Sequence, residues 1–134
     1  MIRYAVQNDF ELLRGHDRHI NERELKRSID AQQVLVMFEG DAFVGWLRFS
    51  LFWDEIPFMN MLYFLEEHRR KGYGKRLTRF WEEEMAKRGC ERVLTSTLSS
   101  ERAQFFYREN GYVDCGSLLL PGEPLEIILL KELG

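Results

Sequence analysis

The chain has 134 residues, 45% of them hydrophobic and 13% aromatic, enough for one substantial core and not for two, so a single domain over 1–134 is expected. A net charge of −3 gives the molecule no polyanion-binding signature, which disfavours nucleic acid as a partner and leaves any anion site to local clustering. Cys90 and Cys115 have neither C-x-x-C nor histidine at ligand spacing, no apolar run nears the roughly 20 residues of a membrane span, and the amino terminus lacks the basic-then-apolar layout of a secretion signal. The expectation is a cytoplasmic protein with reduced thiols, no metal and no membrane partner.

"MIRYAV" reads as a short strand, followed by a helix at "NDFELL" with Asn8 as N-cap and Glu11 reaching back to it. Asn21 and Glu24 repeat that start, and Leu25 and Ile29 give the second helix an apolar face ending near Gln33. "QVLVMFEGDAFVGWLRFSLF" holds two strands joined at a Gly/Asp hairpin turn. After the loop "WDEIP", the nearly continuous apolar run "FMNMLYFL" predicts a strand covered on both faces. Tyr73, Leu77, Trp81 and Met85 recur at i+4 and predict an amphipathic helix that stops at Gly89. "ERVLTSTL" is another strand, Ser99 or Ser100 is placed to cap a short helix through "ERAQFFYREN", and Gly111 ends it. "YVDCGSLLL" and "LEIILLKEL" close the chain as strands, the second with an edge free either to pair with another copy or to pack inward. The order β-α-α-β-β-β-α-β-α-β-β defines a mixed α+β fold with helices on the sheet's faces.

Between the central strand and the amphipathic helix lies "HRRKGYGKRL", where Arg69, Arg70, Lys71, Lys75, Arg76 and Arg79 fall within eleven positions free of acids. Glycines at a helix start bind anions, because the first N–H groups lack intrahelical partners and no Cβ obstructs their approach. A Walker A loop fails, since Arg69 stands where the first glycine belongs and Arg76 where the hydroxyl belongs. The dinucleotide pattern G-x-G-x-x-G fails at Leu77, and no second βαβ half follows.

The pattern R-x-x-G-x-G, spelled by Arg69, Gly72 and Gly74, resembles the acyl-coenzyme A loop of the GNAT superfamily of N-acetyltransferases. Ala103, Phe106, Tyr107, Gly111 and Tyr112 match that family's late A-x-x-[FY]-Y-x-x-x-G-[FY] signature, and the element order is also the family's. The resemblance implies a mostly antiparallel central sheet of about seven strands flanked by about four helices, with acetyl-coenzyme A as co-substrate and no metal.

Carried over residue by residue, the resemblance places the coenzyme's pyrophosphate on the amides of Arg70, Lys71, Gly72, Tyr73, Gly74 and Lys75, with Arg69 opening the motif. It gives the backbone of Leu62 and Phe64 to the pantetheine arm and thioester, adds Phe106 to the coenzyme-binding set, and makes Tyr107 the general acid for the departing thiolate. Packing is the competing reading of Tyr107, because Ala103, Phe106 and Tyr107 form one helical stripe. Ser100 stands where the family often has Asn, which puts that amide contact in doubt. Glu55, on the loop before the central strand, is the candidate base for the acceptor amine, against the alternative of solvated loop charge.

The acceptor, a small-molecule or peptide amine, falls by resemblance to residues 10–33 and 115–127. Trp46, Phe52, Trp53 and Phe58 are candidates for an apolar pocket, against the alternative of core packing; Arg14, Arg18, Arg23, Lys26 and Arg27 either attract an anionic acceptor or form a solvated helix face, and His16 and His19 read as solvated surface. The competing function is an acyl-coenzyme A sensor without turnover, in a protein that is monomeric or homodimeric.

Overall fold

Short polar turns and glycines cut the chain where the sequence patterning predicts, as the computed structural model, which describes all 134 residues, makes plain. The order is β1 (Ile2–Tyr4), α1 (Phe10–His16), α2 (Glu22–Asp30), β2 (Val34–Glu39), β3 (Ala42–Phe52), β4 (Ile56–Phe64), α3 (Tyr73–Lys87), β5 (Arg92–Leu98), α4 (Ala103–Glu109), β6 (Val113–Leu118) and β7 (Glu126–Glu132), with 3-10 turns at Gln7–Asp9 and Glu66–His68. The strands form one seven-stranded sheet, β1-β2-β3-β4-β5-β7-β6. Pairing is antiparallel at β1–β2, β2–β3, β5–β7 and β6–β7, and parallel at β4–β5. No helix is long and apolar enough to cross a membrane.

Residue contacts resolve the chain into two units, Met1–Ser50 with Met61–Trp81 and Leu51–Asn60 with Glu82–Gly134. In the first, Phe10 and Leu13 of α1 and Leu25 and Ile29 of α2 bury their apolar stripes against Val34, Val36, Phe43 and Trp46 of the β2–β3 hairpin. Each such side chain contributes about 1.5–3 kcal/mol by leaving water. The hairpin turns through Gly40, whose φ of +62° suits the two-residue connection. Asn21 caps α2 by accepting from the Glu24 amide at 2.8 Å. In the second unit, β7 lies between β5 and β6, and the Tyr112 hydroxyl donates to Glu82 at 2.7 Å while the Lys131 ammonium donates to its other oxygen at 2.8 Å.

Several expectations are corrected. Asn8 does not cap α1: the N-cap position is Asp9, which makes no side-chain bond into the helix and instead accepts from the Val6 amide at 2.8 Å and from Arg3 at 2.7 and 3.0 Å, fastening β1 to the turn before the helix. Neither Ser99 nor Ser100 caps α4, whose N-cap is Arg102 without a side-chain bond; instead Gln104 donates to the carbonyls of Ser99 and Glu101. Helix α2 ends at Asp30, short of Gln33, because Gln32 turns to a φ of +56°. Strand β4 is not covered on both faces, since only Pro57 and Met59 are buried along it. Of the two placements open to the final strand the inward one holds, since β7 lies between β5 and β6; β6, exposed along its whole length, is the outer strand.

Candidate functional site

The loop before α3 is built to present N–H groups. Arg70 and Gly72 both lie in the left-handed region, φ +64° and +77°, while Lys71 between them does not. This alternation turns successive amides toward one side, the geometry of an anion-binding nest. The first amide bonded back into the helix is that of Arg76, donating to the Gly72 carbonyl at 3.2 Å. The six amides from Arg70 to Lys75 donate to no acceptor in the chain. A Cβ built on Gly72 would meet nothing within 4 Å, so the space in front of the loop is open. Arg70, Lys71, Lys75 and Arg76 are all exposed around it, and the positive end of the 15-residue α3 adds its dipole.

Arg69 has a different task from its neighbours. Its Nε donates to the Phe64 carbonyl at 2.9 Å and its guanidinium lies 4.9 Å over the Tyr63 ring, so it fastens the loop to the end of β4. Tyr73 anchors the other side, its ring 6.3 Å from that of Phe64, and burial together with the nearby Glu39 carboxylate holds its hydroxyl above the usual range. Gly45 on β3 admits β4 closely, because a Cβ there would run into the Phe64 ring and the Tyr63 carbonyl. The ladder between β4 and β5 is confined to Phe58↔Leu94 and Met59↔Thr95, so neither Leu62 nor Phe64 takes part in it.

In the second unit Tyr107 is 6% exposed, wedged edge-on against Phe106 and Tyr112 with ring centroids 5.4 and 5.5 Å away. Burial pushes its hydroxyl up to about 12, and a side-chain hydrogen bond with Thr95 offsets part of that. Thr95 in turn donates to the Met59 carbonyl at 3.1 Å. Phe106 is half-buried, and Ser100 is exposed in the turn after β5. Glu55 is exposed at the β3–β4 turn, where Trp53 and Asp54 take φ values of +57° and +60°. Phe52, Trp53 and Phe58 cluster at that turn, with Trp53 77% exposed.

Trp46 lies in the first unit, where it lines a cavity of about 570 Å³ together with Tyr63 and the segment from Gly15 to His19. His16 and His19, expected as solvated surface, line this concavity, and so does Arg18. Arg48 alone in the apolar run "VGWLRFSLF" was the available signal, since a lone charge in a buried strand demands a partner. That partner is Asp17, at 2.8 Å, and nothing in its own neighbourhood announces it.

Residues 3–112 match the family model described as the acetyltransferase (GNAT) family. The chain belongs to that family, and acyl-coenzyme A-dependent acetyl transfer is the general activity of its class. The fold is similar to that of a GNAT-family acetyltransferase from Bacillus cereus, with 20% identity, 98% of this chain and 96% of that one covered and a TM-score of 0.79. It is equally similar to the PaiA N-acetyltransferase of Thermoplasma acidophilum solved with coenzyme A, at 19% identity, 98% of both chains and 0.79. The ribosomal-protein-S18-alanine N-acetyltransferase of Escherichia coli aligns over 100% of this chain and 94% of its own at 14% identity and 0.82. Among curated proteins none matches.

Proposed function

We propose that residues 1–134 form a single acetyl-coenzyme A-dependent N-acetyltransferase domain acting on a primary amine, metal-free and cytoplasmic, as a monomer or homodimer. The observation that carries this reading is the row of six amides without acceptors over Arg70 to Lys75, facing open space at Gly72. Unpaired N–H groups are costly unless water or a ligand satisfies them, and a diphosphate supplies acceptors of the right charge and spread. Bound acetyl-coenzyme A supplies an activated thioester. The loop amides and the exposed cations hold its diphosphate, and the backbone of Leu62 and Phe64 aligns its pantetheine arm. One N–H from that strand, directed at the thioester oxygen, stabilises developing negative charge and is worth about 10²–10³ in rate.

Tyr107 acts as acid toward the departing sulfur. With its hydroxyl near 12 it stays protonated throughout the working pH range. Complete transfer to a thiolate whose thiol titrates near 8.5 is uphill by roughly 5 kcal/mol, so Tyr107 serves as a hydrogen-bond donor that lowers the barrier to departure. Glu55 is assigned as the base for the acceptor; Glu55→Gln then removes the acidic limb of the kcat/KM profile, and an unaltered limb withdraws the assignment.

Thermal unfolding with acetyl-coenzyme A, coenzyme A and ATP tests the reading. At about 100 times its Kd a ligand adds roughly 2.7 kcal/mol, a shift of several degrees. Both coenzymes should raise Tm more than ATP does. No shift with any of them would remove the coenzyme site and with it the transferase.

A further inference from the structure

Two segments of the first unit supply charges of opposite sign to the 570 Å³ cavity: His16, Arg18 and His19 after α1, and Glu66 and Glu67 after β4. On the two helices that flank this segment, Arg14 pairs with Glu11 and Arg27 with Glu24, each at 2.7 Å. Arg18 makes no ion pair or hydrogen bond, and neither does the Glu66 carboxylate, although both line the same cavity. Between these charges Met61 and the half-exposed Tyr63 offer an apolar surface.

The arginine stands on a rigid mount. Asp17, 4% exposed, accepts from the Arg48 Nε at 2.8 Å, the Trp46 Nε1 at 3.2 Å and the His19 amide at 3.1 Å. The backbone on both sides of Arg18 is therefore fixed by a buried ion pair whose desolvation is costly. Such an expense is understandable where a binding wall must be held in place. A cavity of this size fits a small ligand rather than a folded partner.

On these observations, and resting on the acetyltransferase reading, we propose that this cavity takes the acceptor, and that the acceptor is a zwitterion: a primary amine that also bears a carboxylate, as in a free amino acid. The carboxylate sits at Arg18, flanked by His16 and His19; the ammonium sits at Glu66 and Glu67; the side chain lies on Met61 and Tyr63. A polyamine would meet Arg18 and two imidazoles with no counter-charge to offer. Asp17 is a positioning residue for this pocket.

The test uses the twenty common amino acids, their carboxamides, putrescine and spermidine as probes, with calorimetric binding to the free protein and thiol release in the presence of acetyl-coenzyme A. At least one amino acid should bind and be acetylated, with its carboxamide poorer by roughly tenfold or more in kcat/KM, as expected for a lost charge-assisted contact. Arg18→Gln should raise KM for that amino acid by about the same factor, keep kcat within about twofold, and leave the acetyl-coenzyme A shift in Tm unchanged; Arg18→Lys should recover part of the loss. Preference for a carboxamide or a polyamine, failure of every amino acid to bind, or an Arg18→Gln variant that handles acids and amides alike would overturn the proposal. Amino-acid binding sensitive to Arg18 but without any coenzyme shift would uphold the cavity and remove acetyl transfer. A coenzyme shift with polyamine turnover would do the reverse.

Discussion

Tyr107 shows how one side chain can carry two readings that separate experimentally. Its burial against Phe106 and Tyr112 is packing, and its single hydroxyl is the only part the proposed chemistry needs. Tyr107→Phe should therefore leave the coenzyme shift in Tm intact while turnover falls by about tenfold or more; unchanged turnover would reduce Tyr107 to packing. Gly72→Ala is the complementary probe. At φ +77° a Cβ costs about 1–2 kcal/mol of stability and also stands in the anion cradle, so the coenzyme shift should shrink beyond what the lower Tm explains. Asp17→Asn leaves the Arg48 charge buried without its partner, and urea unfolding should show a loss of about 3–5 kcal/mol. At this scale legibility was uneven. Gly72, Gly74 and Tyr107 stand in recognisable spacings, whereas Asp17 gains its meaning only from Trp46 and Arg48, about thirty positions away in sequence.

Elements were the most legible part, because each is announced locally. The i+4 recurrence of Tyr73, Leu77, Trp81 and Met85 gave α3, and Leu77, Trp81 and Met85 are indeed fully buried. Leu77→Ala should cost about 2–5 kcal/mol in denaturant unfolding, with the upper figure if the helix cannot settle into the gap. Misreadings cluster at helix starts. Asn8 and Asp9 are equally good caps by type, yet α1 starts without a side-chain cap, because the Asp9 carboxylate is taken by Arg3, six residues earlier, and by the Val6 amide. The serines before α4 lose to a backbone turn in which the Glu101 amide donates to the Leu98 carbonyl at 2.9 Å. For β4, an apolar run predicted coverage on both faces. The strand is half-open instead, and local patterning cannot tell a strand buried by protein from one whose apolar face awaits a ligand.

For the molecule as a whole, acid tolerance follows from its carboxylates. The Arg3 side chain, with help from the Val6 amide, holds Asp9 below the usual carboxylate range, against 3.8 when free of such partners. A carboxyl depressed on folding stabilises the protein fully above its unfolded value and loses that contribution as pH falls through the folded one. Stability should therefore decline below about pH 4, and Asp9→Asn should lower stability at pH 7 while flattening that decline, as read by urea midpoints across the range. Net charge and composition said nothing of this, since it depends on which acids find partners. The loop before α3 sets a different pattern on the same molecule. Because the amides of Arg70 to Lys75 bond to nothing in the chain, their hydrogens should exchange with heavy water almost as fast as in an unfolded peptide. The buried Leu77, a turn further along, should keep its hydrogen until the helix opens. In the free protein the isotope map would show a gap six residues wide, and its closing would report occupancy of the loop residue by residue, without any acceptor being known.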